Sequence, residues 1–330
     1  MAQLQSIIST RFEECWPSFY FVHEWEDIFQ RLLNLSFKEF SPENMRLLSL
    51  EPERLDLTIL PLAKHIQCYQ PHKRVISIVV DCWRQDVSSF LDWYAESPMT
   101  YLASLEALRD IRASGFTGNL GYMPMSISDA LRREIVPEKY VDVIQYGRTN
   151  PVLDGYMKQF CRNFPQVNYV TMEILQNRIC YKSTKYGSLG DMHERHRFLG
   201  LLAASRVSLV SSPGMDGSKD TGGYNPVAVR FFESASQFCY MLGRYPANDD
   251  FSHCNVELVC DAVQGYDEFE DKLITMLSKP FNLVDEFNAF LDLNVTSRRV
   301  KQLCYYLDSI SADLKVYAGG LRANLLGAGF

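Results

Sequence analysis

The alternation of apolar and polar positions gives two series of elements separated by a charged stretch. Residues 1 to 50 carry apolar side chains at helical spacing. Ile7, Ile8, Phe12 and Cys15 share one face and Trp25, Ile28, Phe29, Leu32 and Leu33 another, so helices are expected there. LDLTILPL (55–62) and RVISIVV (74–80) are apolar and β-branched and read as strands. Tyr101 to Ala113 reads as an amphipathic helix stopping at Ser114-Gly115, and Asn119 to Met125 as a further strand. The segment SDALRREIVPEKY, with Pro137 inside it, marks a boundary. The expected domains are 1–138, 139–300, and a helix and tail over 301–330.

Beyond the boundary the pattern is strand, loop, helix. VDVIQY runs into Gly147-Arg148-Thr149-Asn150-Pro151 and a helix from Val152 to Phe160. Asn caps the free donors of a helix start, and Pro next to it sacrifices no helical donor. Val167 to Met172 and Ile179 to Lys182 read as strands, and Tyr186 to Met192 as a loop. His193-Glu194-Arg195-His196 reads as the solvated start of a helix, since no further ligand pattern accompanies the two histidines. The same grammar returns at 207–250. Val207, Leu209 and Val210 form a strand, a Gly/Ser/Asp-rich loop follows, Asn225-Pro226 heads a helix to Ser236, and Phe238 to Leu242 is a second strand. Val256 to Val259 reads as a short strand and Tyr266 to Leu277 as an amphipathic helix with acids in its first turn. The class is α/β, with two helix N-termini expected at one sheet edge, where anions bind.

Composition narrows this. In 330 residues, 47% hydrophobic and 13% aromatic, there is material for two cores. A net charge of −7 argues against a general nucleic-acid binder. Nine scattered cysteines without a C-x-x-C pair read as reduced thiols, with neither zinc site nor disulfide framework. No run approaches the ~18 to 20 apolar residues of a membrane span. The expectation is a soluble cytoplasmic protein, with peripheral contact at the inner face of a membrane left open.

The loop PGMDG (213–217) and the run GGYNPVAVRFFE (222–233) carry a resemblance. They are similar to the nucleotide-sugar-binding half of GT-B glycosyltransferases, particularly bacterial CgeB-like and family 1 or 4 enzymes, with a PGxDG loop followed by GxNPVxxRFxE. The resemblance covers about 139–260 and hardly touches the first half. It implies two Rossmann-like domains facing across a cleft, with the C-terminal helix crossing back to the first. It implies a nucleoside-diphosphate sugar as donor, no separate cofactor and no metal. Arg148 is then the first choice for the diphosphate, with Arg230 or Lys219 second, and Glu233 accepts from the ribose hydroxyls. Gly147, Pro213, Gly214, Asp216, Gly217, Gly223, Tyr224, Asn225 and Pro226 complete the donor site. In the related E-x7-E motif a glutamate stands where this chain has Asn225, which hydrogen-bonds but carries no charge. From the residues alone, Arg230 and Glu233 also fit an ordinary ion pair on one helix face.

The implied activity is sugar transfer to a hydroxyl of a glycan or lipid-linked acceptor, as in bacterial cell-surface polysaccharide or lipopolysaccharide synthesis. An inverting enzyme needs a base from the first domain, and Asp81 and His23 are the candidates; a retaining one needs none. Asp81 equally fits a helix cap, and His23 a partly buried structural histidine. Two alternatives stay open: a nucleotide-sugar epimerase, for which no converging acid and base groups are seen in the second half, and a non-catalytic nucleotide-sugar-binding protein.

Overall fold

The computed structural model describes residues 3–9, 11, 20–39, 54–68, 74–176, 178–217 and 221–309. The chain folds as two units, Met1–Asp129 with Val295–Phe330, and Ala130–Asn294. Among the described residues no helix is long and apolar enough to cross a membrane.

In the first unit β1 (Gln3–Ser9), β2 (Ser36–Glu39), β3 (Arg54–Leu62), β4 (Val75–Asp81), β5 (Thr100–Leu102) and β6 (Leu120–Tyr122) form one sheet. Its order is β2-β1-β3-β4-β5-β6, and every neighbouring pair is parallel. Parallel strands covered on both faces are apolar without alternation, and Val75 to Val80 are all buried. Helices α1 (Tyr20–Leu33), α2 (Val87–Trp93) and α3 (Leu105–Ala113) connect the strands, and a last helix, Thr296–Ser309, belongs to this unit. The Trp25, Ile28, Phe29 and Leu33 stripe is buried on α1 as its spacing predicts.

Two helix expectations fail here. Ile7 and Ile8 lie in β1, 0% and 2% exposed between β2 and β3. A short apolar run has no period that separates a core strand from a buried helix. Phe12 and Cys15, assigned to the same face, lie outside the described residues, as does the C-terminal tail. Tyr101 and Leu102 belong to β5; the helix starts later because the Ser104 side chain caps it by accepting from the Ala107 amide.

The second unit contains, in order, β7 (Val141–Gln145), α4 (Pro151–Asn163), β8 (Tyr169–Leu175), β9 (Arg178–Ser183), β10 (Gly187–Asp191) and α5 (Arg195–Ala203). These are followed by β11 (Ser205–Ser211), α6 (Val229–Ser236), β12 (Tyr240–Arg244), α7 (Asp249–Cys254), β13 (Cys260–Ala262), α8 (Tyr266–Ser278) and α9 (Val284–Asn294). The sheet order is β10-β9-β8-β7-β11-β12-β13, antiparallel only at β8-β9-β10. The stretch read as a loop at 186–192 is thus the edge strand β10, added by a hairpin. Val256 to Leu258 is a 3-10 turn, and the strand follows it at Cys260. One apolar layer joins the sheet to α4 and α8 through Leu153, Met157, Phe160, Phe269 and Leu273. The other joins it to α5 through Phe198, Leu199 and Leu202.

Trp25 is fully buried, stacks on Phe29 and donates its indole N–H to the Ser126 carbonyl at 3.3 Å. Trp25→Ala is expected to lower unfolding stability by about 3–5 kcal/mol, read as a lower denaturation midpoint in urea.

Candidate functional site

β7 opens the second unit and lies inside its sheet. The chain builds outward on one side to β8, β9 and β10, then crosses to lay β11, β12 and β13 on the other. The strand order reverses between β7 and β11, and open α/β sheets take ligands at the carboxyl ends of strands flanking such a reversal. The residues there are 146–150, after β7, and 212–217, after β11.

The first loop turns on Gly147, in the left-handed region at φ +66°. Arg148 and Thr149 beyond it are exposed, and Arg148 Nη1 donates to the Pro213 carbonyl at 3.2 Å, joining the two loops. Asn150 caps α4 as expected: its Oδ1 accepts from the Val152 and Leu153 amides, both at 3.0 Å, and Pro151 follows. Those donors are satisfied within the protein, so α4 contributes its dipole rather than free N–H groups.

The second loop packs too tightly for a side chain at Gly214, where a Cβ would lie 2.3 Å from the Tyr224 carbonyl oxygen. Asp216 stands at φ 56° and is held from two sides. Arg244 donates to it through Nη2 at 2.7 Å and also through Nε, and the Asn150 amide donates at 2.8 Å. Arg244 therefore pulls the Asp216 carboxyl below its ordinary 3.8, the burial penalty notwithstanding. The carboxylate thus ties together the ends of β7, β11 and β12.

The second Asn-Pro pair departs from expectation. Asn225 and Pro226 precede α6 by several residues; the helix begins at Val229, with Ala228 as N-cap and no capping side chain. Asn225 is used otherwise: its Oδ1 accepts from the Ser212 hydroxyl at 3.0 Å and its Nδ2 donates to the Gly223 carbonyl at 2.8 Å. Tyr224 is 1% exposed and Pro226 is buried, while Gly223 is exposed. The first turn of α6 nevertheless reaches the β7 loop, because Arg230 Nη1 donates to the Arg148 carbonyl at 3.0 Å and the Tyr146 carbonyl at 3.5 Å. One turn on, Glu233 is 3% exposed and forms an ion pair with Arg195 of α5. The residue expected on the ribose is therefore turned inward, and Arg195, read as part of a solvated helix start, is its partner. His196 and Glu194 are exposed, as that reading has it. Lys219 lies outside the described residues.

The structure thus brings Gly147, Arg148, Pro213, Gly214, Asp216, Asn225 and Arg230 to one edge. Sequence reasoning missed Tyr146, Arg195 and Arg244; the pairs Arg195–Glu233 and Arg244–Asp216 span 38 and 28 residues, beyond any local pattern. Asp81 and His23 belong to the first unit. Asp81 ends β4, as expected. His23 is held to about 4 by burial, with Arg11 adding to the effect, so its imidazole is neutral at pH 7.

No family model matches the chain, and no curated protein matches it. Solved structures do. An α,α-trehalose-phosphate synthase (UDP-forming) from Burkholderia vietnamiensis aligns with a TM-score of 0.55 at 12% identity, over 88% of this chain and 82% of its own. AviGT4, a glycosyltransferase of avilamycin A biosynthesis, aligns at 0.55 and 14% identity over 92% and 97%. A structure described as trehalose-6-phosphate from E. coli bound with UDP-2-fluoro glucose aligns at 0.50 and 11% over 88% and 78%. The chain has the α/β fold of the GT-B glycosyltransferases.

Because the folded pKa of Asp216 is lowered, its contribution to stability is complete above about pH 4 and lost as pH falls through the lowered value. Asp216→Asn is expected to melt below the native protein at pH 7, with the two melting curves converging on acidification below about pH 4.

Proposed function

We propose that the chain is a glycosyltransferase moving a sugar from a nucleoside-diphosphate donor to an acceptor hydroxyl, with the donor's diphosphate at the β7–β11 reversal. One observation carries this: the exposed Arg148 lies at the carboxyl edge where the strand order reverses, and its carbonyl is tied by the Arg230 side chain to α6, a helix that starts without a capping side chain. Departure of a nucleoside diphosphate develops negative charge on the phosphates. A guanidinium and the donors of a helix start stabilise that charge without reorganising, and they do so without a metal. The PGMDG loop and Gly223 leave room for the sugar to approach backbone. The fold shared with UDP-forming synthases supports the donor class.

For the acceptor the reading is a hydroxyl of a glycan or lipid-linked saccharide of a bacterial cell surface, on the resemblance of the donor loops. Asp81 at the end of β4 would take the hydroxyl proton in an inverting reaction; His23, whose basicity burial and Arg11 lower, is the weaker candidate.

UDP, GDP or dTDP is expected to raise the melting temperature, since a ligand at 100 times its Kd adds about 2.7 kcal/mol to the native state. Arg148→Ala should weaken that diphosphate by about 10- to 100-fold, the equivalent of one charge-assisted hydrogen bond. Transfer from the matching nucleotide sugar should survive EDTA. A chain that none of these diphosphates stabilises is not a transferase of this kind.

A further inference from the structure

Arg230 and Tyr146 bind each other reciprocally across the β7–α6 junction. The guanidinium donates to the carbonyls of Tyr146 and Arg148, and the Tyr146 hydroxyl donates back to the Arg230 carbonyl at 2.8 Å. The same hydroxyl lies 3.1 Å from Ser234 Oγ, which in turn donates to Ser208 Oγ of β11 at 2.9 Å. Tyr146 is 4% exposed and can touch no ligand through that hydroxyl. The guanidinium runs beneath the loop: a Cβ on Gly147 would stand 3.2 Å from Arg230 Nη2 and 3.6 Å from Cζ. Behind it, Glu233 is attracted to Arg230 and paired with Arg195, so one buried carboxylate compensates two guanidinium groups.

We infer that Arg230 is a positioning residue: by holding the carbonyls of 146 and 148 inward it presents the outer face of the turn, with the Arg148 side chain, to the diphosphate. This rests on the donor reading above and assigns Arg230 a different part from the direct phosphate contact that the sequence resemblance implies. Two carbonyls turned toward a cation under the turn leave the partial negative charge of the backbone on the side away from the ligand. An anion approaching from outside then meets Arg148 and the start of α6 without carbonyl repulsion. The flat guanidinium fits under a residue without Cβ and splits its in-plane hydrogens between two acceptors. A lysine ammonium is more strongly hydrated and has no flat face, so it replaces a phosphate contact far better than it replaces this one.

The test is calorimetric titration of the full chain with UDP, GDP and dTDP, and with the parent nucleosides, for native protein, Arg230→Lys and Tyr146→Phe. The diphosphate that native protein binds should weaken at least about tenfold in Arg230→Lys and at least about threefold in Tyr146→Phe, with the nucleoside's affinity unchanged. Without ligand, amide exchange at Arg148 and Thr149 should quicken in both variants. Diphosphate affinity within about threefold of native in Arg230→Lys, together with native-like Tyr146→Phe, makes Arg230 a direct contact or a bystander and overturns the inference. Equal losses for nucleoside and diphosphate reveal a merely structural role and overturn it too. Should Arg230→Lys not fold, Tyr146→Phe, which keeps its ring in the core, decides alone. Native protein that binds no diphosphate sinks the transferase reading instead, a result distinct from the others.

Discussion

A parallel sheet sends every strand's carboxyl end to one edge, and where successive strands are laid down in opposite directions from a common starting strand, the loops at that edge diverge. In the second unit this happens once, between β7 and β11. Everything assigned to the site follows from that divergence: the Gly147 turn and the PGMDG loop are left facing one another, and Arg148 spans them. Near that edge some charged side chains are withdrawn from water, those of Asp216 and Glu233 being 11% and 4% exposed, and such charges need partners.

The protein meets that demand with paired charges. Glu26 in the first unit is 0% exposed and accepts from Ser9 and Arg11; Glu233 in the second pairs with Arg195; Asp216 accepts from both Arg244 and Asn150. Removing one member of such a pair leaves an uncompensated charge and costs more than the pair itself contributes. These contacts fix loop positions rather than add much net stability. At the carboxyl edge of the second unit, Asp216 holds the loops after β7 and β11 against the end of β12 in this way.

Local chemistry made part of this legible in the sequence. The GRTNP segment announced a turn, a cap and a helix start, and Asn150 caps α4, because capping involves only residues two and three positions apart. The identical Asn-Pro pair at 225–226 misled, since the Asn225 side-chain oxygen is taken by Ser212, 13 residues earlier, while its amide turns back to the Gly223 carbonyl. Ile7 and Ile8 were read as helix because two adjacent apolar residues carry no period. The inward turn of Glu233 was hidden for a third reason. A carboxylate three residues after an arginine looks available on a helix face, and nothing nearby signals that Arg195, 38 residues earlier, closes over it. The α/β class survived these errors because strand, loop and helix succession alone defines it.

The central claim is the location of the diphosphate, and the most direct measurement is a crystal structure of the chain soaked with the nucleoside diphosphate it binds. Phosphate oxygens about 3 Å from the Arg148 guanidinium and from the first amides of α6 are the predicted result. A diphosphate seated elsewhere on the second unit, or on the carboxyl edge of the first, would contradict it.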